Sequence, residues 1–224
     1  MALEALVRWL HPERGMVPPG EFIPACESSG LIVPLGRWVL REAARHLPEL
    51  QAAGWPDLKI AVNVSAPQFQ SGDLVGELAT LYAEYDLPHG AIELELTESL
   101  LMHDPQTVIE QIRRLRALGA CVAIDDFGTG FSSLQYLNRL PLDKLKIDRS
   151  FVNGVETDRA SATICSSVLG LAKSFGIASV AEGVETTAQL EWLRDRGCDI
   201  VQGFLLGRPM PFDAVLAHLE SSRR

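Results

Sequence analysis

The chain has 224 residues, 47% of them hydrophobic and 22% charged, a balance that gives a globular protein with material for a sizeable core. Its formal net charge of −9 excludes a broad basic footprint for duplex nucleic acid but leaves room for a small anionic ligand held by metal ions. No apolar run approaches the ~20 residues of a membrane span and no secretory leader is present, so a soluble, cytoplasmic domain without membrane contact of its own is expected.

Short runs of branched aliphatic residues alternate with amphipathic stretches, the pattern of strand-helix units and a parallel sheet. In chain order, ALEALVRW predicts a strand over 2–9, followed by a short helix near 21–29 and a longer one over 35–53. LKIAVNVS predicts a strand over 58–65, then a helix over 66–85, and IELELTE a strand over 92–98. The helix over 105–118 is read from the surface-helix spacing of Val108, Ile109, Ile112, Leu115 and Leu118, and Gly119 stops it. Gly54, Gly176 and Gly197 are placed to end other helices. CVAIDDFG gives a strand over 121–128, with a helix over 132–139. Strands over 144–151, 177–185 and 200–207 then alternate with helices over 158–175, 186–196 and 211–222.

Seven strand-helix units with polar residues at nearly every strand end fit an α/β, TIM-like (β/α)8 barrel better than an open doubly wound sheet, because a closed ring makes those ends converge. An eighth strand is then missing, and it is expected upstream of Met1. No linker or low-complexity tract divides the chain, so a single domain over 1–224 is the simpler reading.

The four cysteines, Cys26, Cys121, Cys165 and Cys198, form no CxxC pair and read as small hydrophobes in a reducing compartment. Five histidines, at 11, 46, 89, 103 and 218, show no metal-binding spacing and are assigned to loops and helices.

Asp125 and Asp126 close an apolar run and open into the turn FGTGFSSL, which sets two negative charges at a buried strand end. Such crowding raises carboxylate pKa values or requires a counter-charge, so the pair reads as a divalent metal site. On or just past the other strands stand Glu4 and Arg8, Asn63, Glu95 and Glu98, Lys146 and Asp148, Glu182 and Glu185, and Gln202. Alternation along a strand predicts that Glu4 and Arg8 share a direction, as do Lys146 and Asp148 and also Glu93 and Glu95. The hard oxygen donors Glu4, Asn63, Glu95, Asp125, Asp126 and Glu182, with no histidine among them, suit two Mg²⁺ or Mn²⁺ ions, the clamp used for phosphoester hydrolysis. In that scheme Arg8 holds a phosphate oxygen and Lys146 orients water or offsets charge. Taken singly, a strand glutamate is more often salt-bridged than catalytic, and Lys146 with Asp148 reads as a structural pair. So many ionisable groups are hard to satisfy separately, which favours the collective reading. A dinucleotide loop is excluded because the third glycine is replaced by Ser133. Gly128 and Gly130 instead give the loop after the aspartates its backbone freedom.

These motifs together resemble the EAL-domain phosphodiesterases that hydrolyse cyclic di-GMP. The resemblance runs through Glu4-Ala5-Leu6 with Val7-Arg8-Trp9, NVS at 63–65, ELTES at 95–99, DDFGTGFSSL at 125–134, LKIDRSF at 145–151, AEGVET at 181–186 and QGFLLGRP at 202–209. It implies a barrel with two metal ions, one held by Glu4, Asn63, Glu95 and Asp125, the other served by Asp125, Asp126 and Glu182. It also implies catalytic roles for Lys146, which holds the nucleophilic water, for Glu182, and for Glu98, which anchors the DDFGTG loop. Leu6, Arg8, Asp148 and Gln202 are the implied substrate contacts, and linear pGpG is the product. The family's first strand is absent before the EAL motif, and Phe131 stands where tyrosine is common. Further expectations from the resemblance are a homodimer through 132–160 and fusion to sensory or cyclase domains. The rival reading is a cyclic di-GMP receptor that has lost catalysis.

Overall fold

The computed structural model describes residues 1–102, 104–128 and 137–221. The chain divides into two compact units, Met1–Leu96 with Glu110–Cys121, and Thr97–Ile109 with Val122–Arg224.

In the first unit, β1 (Ala2–Ala5), β4 (Lys59–Val64) and β5 (Ile92–Thr97) pair in parallel in the order β1-β4-β5. Ile60, Val62, Val64, Ile92, Leu94 and Leu96 are all buried, as expected of a parallel sheet covered on both faces. The predicted strand over 2–9 stops at Ala5. Beyond it the chain forms an antiparallel hairpin of β2 (Trp9–His11) and β3 (Gly15–Val17), which the sequence reading missed. Its loop is organised by His11, whose Nδ1 accepts the amides of Glu13 (3.1 Å) and Arg14 (3.2 Å).

Helices α1 (Pro19–Ser29) and α2 (Ile32–Ala52) follow, and the predicted helix over 66–85 is two, α3 (Ala66–Ser71) and α4 (Leu74–Glu84). The break comes from Gly72 and Asp73: the Asp73 carboxylate accepts the Gly76 amide at 3.0 Å and starts a new helix. After β5 comes a 3₁₀ turn (Glu98–Met102), then α5 (Pro105–Ala117), whose Val108, Ile109, Ile112 and Leu115 are buried as the spacing predicts.

In the second unit, β6 (Cys121–Phe127), β7 (Lys144–Ile147), β8 (Ala178–Ala181) and β9 (Ile200–Val201) pair in parallel in chain order. Among the described residues there are thus seven parallel strands, the number predicted. Three end earlier than expected. Asp148 closes β7 by capping α6 (Arg149–Val152), and β8 gives way to the turn before α8 (Thr187–Asp195). After β9, Leu206 and Gly207 both donate to the Gly203 carbonyl, so Phe204, Leu205 and Leu206, an apolar run that reads as buried strand, lie exposed in a turn. Helices α7 (Arg159–Phe175) and α9 (Phe212–Ser221) complete the unit. Gly54, Gly119, Gly176 and Gly197 all follow helices with positive φ, as expected. The predicted helix over 132–139 lies largely outside the described residues.

Cys165 is buried on α7, and burial pushes its thiol up to about 12; the other three cysteines are partly exposed, and all four are free thiols. Among the described histidines, His11, His46 and His218 are partly buried and His89 is exposed.

Candidate active site

Strand register builds two groups of polar side chains, one in each unit. In the first, Glu4 is the register partner of Ala61, and Asn63 that of Glu95. Ala61 and Asn63 are two residues apart and share a face, so Glu4, Asn63 and Glu95 stand on one face at successive levels. Asn63 Nδ2 donates to Glu4 Oε1 at 2.6 Å, and Glu95 is 2% exposed. Glu93 shares its direction as predicted and is also buried. Leu6 and Arg8 lie past the end of β1, where strand alternation no longer applies. The expected common direction of Glu4 and Arg8 therefore has no strand to enforce it. Arg8 is exposed and donates to the Val7 carbonyl at 2.9 Å.

In the second unit, the β6–β7 register is regular at Ile124↔Leu145 and resumes at Phe127↔Ile147, so the strand bulges at Asp125 and Asp126. Asp126 sits at φ +54°, the left-handed region. A regular strand would send adjacent side chains to opposite faces, whereas a bulge re-aims one of them. Here carboxylate oxygens of Asp125, Asp126 and Glu182 all come within 4.8 Å of one another. The Asp125 carboxylate also accepts the Asp126 amide at 2.9 Å, which holds the bulge.

Lys146 rises from the middle of this group. Its register partner is Val180, and Glu182 lies just past β8, its amide donating to the Ile147 carbonyl at 3.1 Å. The ammonium lies 3.2 Å from Asp125 Oδ1 and 2.5 Å from Glu182 Oε1, with the side chain 1% exposed. Lys146 is therefore paired with these carboxylates. Asp148 falls outside β7, so alternation does not govern it either. It caps α6 by accepting the amide and hydroxyl of Ser150.

Burial raises the pKa of Asp126, and the charges of Asp125 and Asp148 raise it further, against a smaller opposing effect of Lys146. For Asp148 burial acts upward, but hydrogen bonds from the Ser150 hydroxyl and amide and from Asp126 outweigh it, and its pKa is lowered.

Three further predicted residues are placed by the backbone. Glu98 is buried and accepts the Gly128 amide at 3.1 Å, a contact suited to anchoring the loop that follows. Residues 129–136 of that loop lie outside the described region. Gln202 is half-buried; its amide donates to the Ala181 carbonyl at 2.8 Å and its carbonyl accepts from Val184 at 3.0 Å. Glu185 is exposed, and its amide donates to the Gln189 side chain at 2.7 Å as part of the α8 cap.

The cluster fits a divalent cation. Its donors are hard carboxylate oxygens, and they are held together at the expense of a left-handed aspartate and a raised pKa, a cost that a bound cation offsets.

The EAL domain family matches residues 1–209. The chain belongs to the EAL domain family. Among curated relatives, this EAL domain is 46% identical over 217 residues, 97% of the chain, to the bifunctional diguanylate cyclase/cyclic di-GMP phosphodiesterase MucR of Pseudomonas aeruginosa. It is 43% identical over 221 residues to the cyclic di-GMP phosphodiesterase NbdA of the same organism. The chain spans 32% of the length of the first and 28% of the second. Among solved structures it matches a MucR phosphodiesterase in complex with c-di-GMP, with a TM-score of 0.91 and 46% identity over 95% of this chain and 86% of that one. The FimX EAL domain of P. aeruginosa bound to c-di-GMP matches with a TM-score of 0.84 and 25% identity over 93% of this chain and 83% of that one. The fold is thus the α/β, TIM-barrel type of EAL domains, as the strand-helix pattern predicts. Among the described residues no helix is long and apolar enough to cross a membrane.

Proposed function

We propose that this EAL domain is a metal-dependent phosphodiesterase that opens cyclic di-GMP to linear pGpG. The observation that carries the proposal is Lys146, a fully buried ammonium held between Asp125 and Glu182 inside a three-carboxylate cluster. Beside cation ligands, an ammonium at that depth orients water and offsets developing negative charge. The reaction forms a bond between water oxygen and one phosphorus and breaks that phosphorus–O3′ bond. The ribose 3′ oxygen takes a proton and the 5′-phosphate stays on the product.

Glu4, Asn63, Glu95 and Asp125 are assigned to one Mg²⁺ or Mn²⁺, and Asp125, Asp126 and Glu182 to a second; the assignment across the two groups rests on the sequence resemblance. When bound, such ions supply Lewis acidity toward a phosphoryl oxygen and lower the pKa of water. Lys146 holds the attacking water, Glu98 fixes the head of the loop after β6, and Leu6, Arg8, Asp148 and Gln202 contact the nucleotide. We further propose a homodimer through 132–160, of which 137–160 are described, and sensory or cyclase domains elsewhere in the full protein.

The deciding experiment incubates the purified chain with cyclic di-GMP and Mg²⁺ or Mn²⁺ and follows pGpG by chromatography, beside a Glu4→Ala control. Turnover lost in the control supports the assignment, and tight binding without turnover in either metal establishes a receptor instead. Sedimentation with and without ligand tests the dimer, and a monomer at micromolar concentration removes it.

A further inference from the structure

At the starting end of the strands in the first unit, Lys59 opens β4 and Cys121 opens β6. Lys59 Nζ donates to Cys121 Sγ at 3.4 Å, and both side chains are only partly buried. Among the described residues no carboxylate forms an ion pair with Lys59, so the sulfur is the partner its ammonium has. The backbone holds the pair in place. The Gly119 carbonyl, two residues before Cys121, accepts the Gly90 amide at 2.6 Å and the Tyr82 hydroxyl at 2.9 Å. A Cβ on Gly90 would stand 3.4 Å from Lys59 Nζ and 3.6 Å from Cys121 Sγ, so the chain entering β5 runs directly beside both atoms. Cys121 is a free thiol, and among the described cysteines it alone accepts a hydrogen bond from an ammonium.

We infer that Cys121 and Lys59 form a modification site, at which hydrogen peroxide converts the thiol–amine pair into a covalent sulfenamide that ties β4 to β6. Atoms held about 3 to 3.5 Å apart are at the separation from which a bond forms, and a sulfenic acid condenses with a neighbouring nitrogen in this way. In the first step the sulfur attacks one peroxide oxygen: an S–O bond forms, the O–O bond breaks, and the departing oxygen leaves as water with the thiol proton. Sulfur is oxidised by two electrons and the peroxide is reduced by the same two. Lys59 then gives its ammonium proton to solvent, and its nitrogen attacks the sulfenic sulfur. An S–N bond forms, the S–O bond breaks, and the hydroxyl leaves as water with a second nitrogen proton. A thiol reductant reverses the bond. The site stands apart from the carboxylate cluster and does not depend on its function.

The test treats the 224-residue chain with hydrogen peroxide, with and without the sulfenic-acid trap dimedone, and reads intact mass and peptide maps. The oxidised chain should be lighter by two hydrogens, with a peptide pair joined through Lys59 and Cys121 that dithiothreitol separates. Mapping distinguishes this product from a disulfide, which has the same mass. Lys59→Arg keeps a cation beside the sulfur, but a guanidinium stays protonated and offers no nucleophilic nitrogen. In that variant the joined peptides should disappear and Cys121 should carry dimedone instead. Cys26, a partly exposed thiol without a lysine hydrogen bond, is the internal control and should take up dimedone equally in both proteins. Joined peptides that persist in Lys59→Arg overturn the inference. So does an oxidised wild-type chain in which Cys121 carries dimedone and no bond to Lys59, an outcome that holds whether or not the variant folds.

Discussion

The two ends of the strands in the second unit use the same residue type to opposite effect. At the starting end, Asp143 accepts the amide of Val122 at 2.8 Å, and Asp199 accepts both the amide (2.8 Å) and the hydroxyl (2.7 Å) of Ser179. Each aspartate precedes one strand and closes the second residue of the strand before it, so β6 is stapled toward β7 and β8 toward β9. At the finishing end, Asp125, Asp126 and Glu182 crowd one another around Lys146. The pKa shifts follow. Hydrogen bonds from the Ser179 amide and hydroxyl lower Asp199, whereas burial and the charge of Asp125 raise Asp126. The two starting-end aspartates are met by donors, whereas the finishing end gathers like charges, an asymmetry that parallels the division of labour between the two faces of α/β barrels.

The largest effect that separates the ends is expected at Lys146. Lys146→Ala should lower the rate of pGpG formation by about 10²- to 10⁴-fold, measured in single turnover, while equilibrium dialysis still detects bound cyclic di-GMP. Equal losses in turnover and binding would instead make the lysine a binding group. At the opposite end, Asp199→Ala strands the buried Ser179 donors and should cost about 1 to 3 kcal/mol in urea unfolding, with kcat unchanged. Asp143→Ala should behave in the same way, and a shift in kcat in either variant would dissolve the contrast. The Asp199 contribution is also pH-dependent. Its folded pKa is depressed, so the stabilisation is fully present above the unfolded value near ~3.9. It is lost as pH falls through the lower folded value, so the gap between wild type and Asp199→Asn should close there. The smallest effect is at Asp126: in EDTA, Asp126→Asn should change stability by less than about 1 kcal/mol, toward greater stability. It removes a like charge and suits the left-handed backbone. Marked destabilisation would mean that the finishing end is not charge-strained.

Much of the fold was legible because parallel strands announce themselves as uninterrupted aliphatic runs. CVAIDDFG was read as a strand over 121–128 and forms one over Cys121–Phe127. What failed were the ends. ALEALVRW is aliphatic enough for a strand to Trp9, yet the chain leaves the sheet at Ala5 to make a hairpin whose Pro12 and Gly15 were the only cue. Phe204-Leu205-Leu206 reads as core because a one-dimensional pattern does not record that Gly203 packs directly on the Val184 backbone, with no room for a Cβ. In the candidate site, the identity of the acidic residues was visible from their placement near strand ends. The bulge that brings adjacent aspartates together was not, because it depends on the register with β7.

The left-handed backbone at Asp126 narrows what that position tolerates by two independent filters. Conformation admits chiefly glycine, asparagine and aspartate, since other side chains cost roughly 1 to 2 kcal/mol there. A role as an anionic cation ligand admits only aspartate and glutamate. Aspartate alone passes both, so saturation mutagenesis at residue 126 should return a single functional amino acid even where neighbouring positions accept several.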